Sequence, residues 1–244
     1  VADAPTLDVT AASGDEDTAI PLDITAALTD DSEVLSVTIS GIPAGATLSA
    51  GTVNGDGSVT LTAAQLDGLT ITPPDDSNVD FDLTVAATST DGTDTATTTA
   101  TLPVSVTGVA DDPTVTAADA TGDEDTAIAL NLSAALNDVD GSETLAVTLT
   151  GLPAGATLSA GTVNGDGSVT LTAAQLDGLT VTPPDDFSGD MTLTLTATST
   201  EDDGDTAVVS EDFTVSVTGV ADAPTLDVTA ASGDEDTAIP LDIT

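Results

Sequence analysis

Residues Gly45–Thr70 read GATLSAGTVNGDGSVTLTAAQLDGLT, and the same 26 letters return as Gly155–Thr180. The likeness extends almost unchanged over Gly41–Asp76 and Gly151–Asp186. A second match is letter-perfect, Val1–Thr25 reappearing as Val220–Thr244. Self-similarity at a period of about 110 residues marks an array of like modules, each closing its own core. The expected division is residues 1–108 as a first repeat, 109–219 as a second, and 220–244 as the start of a third. The third begins like the first rather than the second, so a longer array alternating two repeat types is expected, of which this sequence is an excerpt.

Within each repeat the apolar residues alternate with polar ones. Leu35, Val37 and Ile39 alternate with Ser36, Thr38 and Ser40, and Phe81, Leu83, Val85 and Ala87 with Asp82, Thr84, Ala86 and Thr88. In the second repeat Met191, Leu193, Leu195 and Ala197 follow the same rule, and Phe213, Val215 and Val217 close it. A period of two belongs to strands with one buried face. Asn54-Gly55-Asp56-Gly57 offers the residues that a tight hairpin turn requires. The stretch around Gln65 and Leu66 has room for one helical turn. About seven short strands per repeat, with regularly spaced turns, predict an all-β chain of tandem immunoglobulin-like or cadherin-like β-sandwich domains arranged end to end as a rod. Each sandwich is expected to add on the order of 40 Å.

Composition narrows function by what is missing. The chain has no Lys, Arg, His, Cys, Trp or Tyr, and 43 acidic residues give a formal charge of −43. No imidazole, thiolate or amine is available as base or nucleophile. A carboxylate pair suffices for glycoside hydrolysis, but a sugar site draws on aromatic faces and only three Phe are present. The chain therefore reads as no enzyme, with no small-molecule substrate. Nucleic acid is excluded by repulsion, as is an anionic membrane surface. The apolar runs fall far short of the roughly 20 residues needed to span a bilayer, so no membrane insertion is expected. A sugar- or protein-binding module would lack the aromatic and Arg anchors of typical hot spots. Residues 1–5 lack the basic start and apolar core of a signal peptide.

The acids are not spread evenly. In the second repeat they gather as Asp111 and Asp112; Asp123, Glu124 and Asp125; Asp138, Asp140 and Glu143; Asp185, Asp186 and Asp190; and Glu201, Asp202, Asp203 and Asp205, all at expected turns. The outward strand faces carry mostly Thr and Ser, whereas a halophile-type surface would place acids there too. Strand alternation puts the first turn of each repeat at the end that meets the next linker. Asp15, Glu16 and Asp17 should thus meet Asp111 and Asp112, together with Asp138, Asp140, Asp202, Asp203 and Asp205 from the top of the second repeat. Asp123, Glu124 and Asp125 should likewise meet Asp222. With no positive side chain to neutralise them, such gatherings need bound cations. An all-oxygen donor set on loops suits Ca2+, and the absence of His and Cys disfavours zinc and copper. Asp outnumbers Glu about five to one, a bias that turn formation alone would also favour.

Several stretches carry a resemblance. Val217–Pro224, VTGVADAP, looks like the calcium-binding linker of cadherin-type repeats. With GDEDTAI at Gly122–Ile128, NDVDGSETL at Asn137–Leu145 and LDGLTVTPPDDFSGD at Leu176–Asp190, the chain resembles the bacterial cadherin-like repeats of giant RTX-type adhesins. The resemblance implies type I secretion, a place at the bacterial cell surface, and repeats that space a distal binding domain from the membrane. It implies Glu16, Asp111, Asp138 and Asp140 as ligands at one junction, and Glu124 with Asp222 at the other. The first repeat departs from the pattern, its corresponding turn shortened to Thr29-Asp30-Asp31-Ser32-Glu33. The glycine-rich nonapeptides of a calcium β-roll are absent. Partners are then neighbouring repeats of the same chain or, in an alternative reading, other copies in a self-assembling filament or surface layer.

Overall fold

The computed structural model describes residues Val1–Thr244. Strand accounts for 48% of the chain and helix for 3%, so the class is all-β. The first repeat supplies β1 (Thr6–Val9), β2 (Ala12–Asp15), β3 (Ile20–Pro21), β4 (Ile24–Ala27), β5 (Val34–Ser40), β6 (Thr47–Leu48), β7 (Thr52–Val53), β8 (Val59–Leu61), β9 (Thr70–Thr72), β10 (Phe81–Asp91) and β11 (Asp94–Thr107). The second supplies β12 (Thr114–Ala118), β13 (Ala120–Asp123), β14 (Ile128–Ala129), β15 (Asn131–Ala135), β16 (Thr144–Thr150), β17 (Thr157–Leu158), β18 (Thr162–Val163), β19 (Val169–Leu171), β20 (Thr180–Thr182), β21 (Gly189–Thr200) and β22 (Thr206–Thr218). Turn residues and prolines break several strands, so there are more, shorter segments than the seven expected from the apolar pattern.

One face of each sandwich is a six-stranded sheet, β2-β11-β10-β5-β8-β7 in the first repeat and β13-β22-β21-β16-β19-β18 in the second. The opposite face is made of β1-β4 with β3-β9-β6, matched by β12-β15 with β14-β20-β17. The first strand of each repeat changes sheets. β1 pairs antiparallel with β4, and after Thr10 and Ala11 the chain continues as β2, parallel to β11 with Ala12 opposite Val104. The parallel pairing lays the start of the repeat beside its end, and Glu16 N–H continues it by donating to the Thr107 carbonyl at 3.0 Å.

Alternation fills the cores as the pattern required. Val37, Ile39, Leu83, Val85 and Leu102 from one sheet meet Ile20, Leu22, Ile24, Leu69 and Ile71 from the other. The second core is Val147, Leu149, Leu193, Leu195, Phe213 and Val215 against Ile128, Leu130, Leu132, Leu179 and Val181. Phe213 is the one aromatic side chain that reaches full burial. In the hairpin at Asn54, Asn54 N–H donates to the Ser58 carbonyl at 2.8 Å, and Gly57 takes φ +84. The helical turn forms in both copies, Ala63–Gln65 and Ala173–Leu176, with Gln65 and Gln175 side chains accepting the Thr62 and Thr172 N–H groups at 2.9 and 2.8 Å.

The duplicated 25 residues show how much of this order is tertiary. In Val1–Thr25 they form strands, with Ile20 only 1% exposed, while in Val220–Thr244 the equivalent Ile239 is 44% exposed and only the bridge Val228–Ile243 remains. That bridge repeats the Val9–Ile24 pairing of the first copy. Local pairing therefore survives, whereas burial needs partner strands such as β9 and β11.

Candidate metal centre

The site is built on the linker Val109–Pro113, whose backbone is held by side chains from both repeats. Val109 N–H donates to Glu16 Oε1 at 2.8 Å, Ala110 N–H to Asp205 Oδ2 at 3.1 Å, and Asp111 N–H to Glu143 Oε1 at 2.6 Å. The buried Ser199 hydroxyl donates to the Asp111 carbonyl, and the Asn137 amide to the Asp112 carbonyl at 2.8 Å. With its backbone fixed in this way, Asp111 presents its carboxylate to Asp17 and Asp76.

Three groups of carboxylates result, each with one oxygen per residue within 4.8 Å of the others. The deepest is Glu16, Asp138 and Glu201, which are 3%, 2% and 2% exposed. It draws Glu16 from the turn after β2, and Asp138 and Glu201 from the turns before β16 and after β21. Ser142 Oγ lies 3.0 Å from Asp138 Oδ2 and 3.2 Å from Glu201 Oε1, so a single hydroxyl proton faces two carboxylates. The Asn78 amide donates to Glu201 Oε2 at 3.2 Å and to Asp202 Oδ1 at 3.3 Å, carrying the network from the first repeat into the second. Glu16 Oε1 is committed to Val109, but Glu16 Oε2 is buried without a hydrogen-bond partner, as are Glu143 Oε2 and its first-repeat counterpart Glu33 Oε2, neither of which belongs to a carboxylate group.

Burial raises the Glu16 carboxyl from 4.5 to about 7; the Val109 N–H opposes the rise, and the charges of Glu201, Asp17 and Asp138 add to it. Glu143, Glu201, Asp76 and Asp111 are raised too, burial again first among the causes, followed for Asp76 and Asp111 by the charge of Asp17. Buried carboxylates that cannot find a positive partner in the chain are costly as anions. The orphaned Glu16 oxygen in an all-oxygen donor set fits a hard divalent cation such as Ca2+, while a zinc site would call for nitrogen or sulfur.

The other two groups repeat each other. Asp17, Asp76 and Asp111 form one, and Asp125, Asp186 and Asp222 the other. In each, two residues are left-handed Asp, with φ of 55° at Asp17 and Asp76, 57° at Asp125 and 58° at Asp186. Asp76 N–H donates to Asp17 Oδ1 at 2.9 Å and Asp186 N–H to Asp125 Oδ1 at 3.1 Å, tying the two loops of each repeat end together. Asp186 is raised chiefly by the charges of Asp222 and Asp125.

The expected ligands divide accordingly. Glu16, Asp17, Asp111, Asp125, Asp138 and Asp222 enter these groups. Glu124 stands outside them and accepts Val220 N–H at 2.6 Å, as Glu16 does for Val109. Asp205 holds the linker through Ala110. Asp140 and Asp203 accept the N–H groups of Ser142 and Asp205 at 2.8 and 3.1 Å, which is the behaviour of turn formers. Asp15 and Asp123 end β2 and β13 with exposed side chains and use their carbonyls to accept the Thr18 and Thr126 hydroxyls, both at 2.7 Å. Asp112 is exposed. Asp190 lies within β21 instead of a turn, accepting the Ser216 hydroxyl at 2.7 Å.

Sequence reasoning missed Asp76, Asp186 and Glu201 as members, and Glu143 as the anchor of Asp111. The same alternation of turns that placed Asp17 at the lower end also places Asp76 there, so a signal existed.

No family model matches the chain, and no curated protein does. Among solved structures it is similar to the protocadherin gamma B2 extracellular cadherin domains 1–5, at 14% identity over 90% of this chain and 41% of that chain, TM-score 0.44. It is also similar to human mucin-like protocadherin EC1-2, at 18% identity over 88% of this chain and 99% of that one, TM-score 0.43. For Drosophila N-cadherin EC1-3 the figures are 17%, 89% and 68%, TM-score 0.29. This chain thus spans less than half the length of the first. The β-sandwich assignment itself stands on the sheet pairing described above.

Proposed function

We propose that the chain is a stretch of extender repeats from an extracellular bacterial adhesin, in which Ca2+ bound between consecutive repeats turns a repelling string into a stiff spacer. The observation that supports this reading is the group Glu16–Asp138–Glu201. It joins two repeats, is buried, and has no positive side chain anywhere in the chain to balance it. Glu16, Asp138 and Glu201 would hold one ion, and Asp17, Asp76 and Asp111 a second, more exposed one. An ion in the first group contacts residues on both sides of the linker, so its binding energy is spent directly on fixing one repeat against the next. The division at 108/109 and at 219/220 follows from the same reading, since each linker enters its junction there. The lack of catalytic groups agrees with a mechanical role, and the same reading carries RTX-type export and surface tethering as parts of the proposal. Small-angle scattering of the chain with calcium and after chelation tests the proposal. A longer, narrower distance distribution with calcium is expected; identical distributions in both states would overturn it.

A further inference from the structure

The two repeats do not present the same upper surface, and the difference falls on the residues of the deep carboxylate group. The turn before β16 reads Asn137-Asp138-Val139-Asp140-Gly141-Ser142-Glu143, whereas that before β5 reads Thr29-Asp30-Asp31-Ser32-Glu33. Asp30 and Asp140 do the same work, accepting the N–H of Ser32 at 2.9 Å and of Ser142 at 2.8 Å. Glu33 and Glu143 also correspond, accepting the N–H of Asp3 at 2.7 Å and of Asp111 at 2.6 Å. The two residues missing from the first turn thus remove the counterpart of Asp138. Glu201, two residues after the buried Ser199, is matched by the shorter Asp91, two residues after the buried Ser89.

The lower surfaces differ in step. Asn78 reaches Glu201 and Asp202, whereas its counterpart in the second repeat is the shorter Ser188, without the amide. Asp112 in the first linker is Ala223 in the second. Glu16 Oε2, unpartnered and buried, points to a ligand in the deep group independently of the clustering itself.

We infer that the two repeat types build two kinds of junction: one entering a repeat of the second type, closed by a buried divalent cation between Glu16, Asp138 and Glu201, and one entering a repeat of the first type, where that cation has no site. The recurrence of Val1–Thr25 as Val220–Thr244 brings back the opening of the first type after the second, and the inference takes the rest of that repeat to follow it. An array of this kind alternates stiff and compliant joints and holds fewer cations than twice its number of repeats. The inference rests on calcium being the junction ion.

Converting the upper surface of the second repeat into that of the first tests it. In the full chain, Asn137–Ser142 is replaced by the Thr-Asp-Asp-Ser of Thr29–Ser32 and combined with Glu201→Asp; Asp138→Asn alone serves as a second variant that leaves the turn length intact. Bound Ca2+ is counted by native mass spectrometry, and the spread of distances across the junction is read by spin labels on the two repeats. The expected result is one Ca2+ fewer in both variants, with a broadened distance distribution and unchanged β-sheet circular dichroism. An unchanged count with an equally narrow distribution would overturn the two-junction inference while leaving calcium stiffening intact. If the wild-type chain itself binds no Ca2+, the proposed function falls along with it.

Discussion

Glu143 accepts the backbone N–H of Asp111 at 2.6 Å, and one repeat earlier Glu33 accepts that of Asp3 at 2.7 Å. In both places a buried Ser takes the carbonyl of the same Asp, Ser199 for Asp111 and Ser89 for Asp3. The linker Asp is therefore gripped from both sides by the repeat it enters, which leaves its carboxylate to face the repeat it leaves. Orientation of a ligand by supporting hydrogen bonds is how metal sites hold their geometry. Here the support comes from strand ends that the sandwich core already fixes.

Without metal, stability should fall as pH rises. Glu16 is held at about 7 in the folded chain against 4.5 when free. A carboxyl raised on folding contributes stability below its unfolded value, and that contribution is lost as pH climbs through the folded one. Thermal melts of metal-free protein should therefore give a higher Tm near pH 5 than near pH 8. A flat profile would mean that Glu16 is hydrated.

Glu16→Gln should change sign with calcium. In metal-free buffer at pH 8 it removes a buried uncompensated charge and should raise Tm. In saturating calcium it removes a ligand, so the calcium-induced rise in Tm should shrink. Paired melts in the two buffers check this, and a loss of stability in both would assign Glu16 a purely structural role.

Asp111→Ala with Asp112→Ala should loosen the junction while leaving both sandwiches folded, because Asp111 meets Asp17 and Asp76 only through its side chain and Asp112 is exposed. Scattering in calcium should show a broader distribution with sheet content retained. Global unfolding would show that the linker acids serve the cores.

Leu193→Ala should act on the second core alone. Leu193 is fully buried in that cluster, and truncating a buried Leu costs about 2–5 kcal/mol. Urea unfolding should show the second repeat's transition moved to lower denaturant and the first unmoved. Equal movement of both would make the two repeats a single cooperative unit.

The strands were legible because Thr and Ser alternate so regularly with Val, Leu and Ile, as in Thr192–Ala197, that only one register buries the apolar set. The change of sheet between β1 and β2 was not, since Thr10 and Ala11 carry no turn signal and parallel pairing with β11 is set by tertiary contact. At the site, alternation of turns brought Glu16, Asp111 and Asp138 to one place. It did not separate members of the carboxylate groups from acids that only form turns. Asp138 and Asp140 are two residues apart and each accepts the N–H two residues on, yet only Asp138 is also buried in a carboxylate group. Asp76 comes after Pro73-Pro74-Asp75 and reads as a loop former, and only its position opposite Asp17 brings it into a carboxylate group. Glu201 was passed over for the Asp residues after it, although the longer side chain at the strand end is the one that reaches the junction.

Terbium, an oxygen-seeking calcium substitute with strong anomalous scattering, locates bound ions directly in crystals of this chain. An anomalous peak is expected among Glu16, Asp138 and Glu201, with Glu16 Oε2 turned toward it, and a second peak by Asp17, Asp76 and Asp111. Crystals grown with ample terbium that show no peak between the repeats, their carboxylates splayed into bulk water, would contradict it.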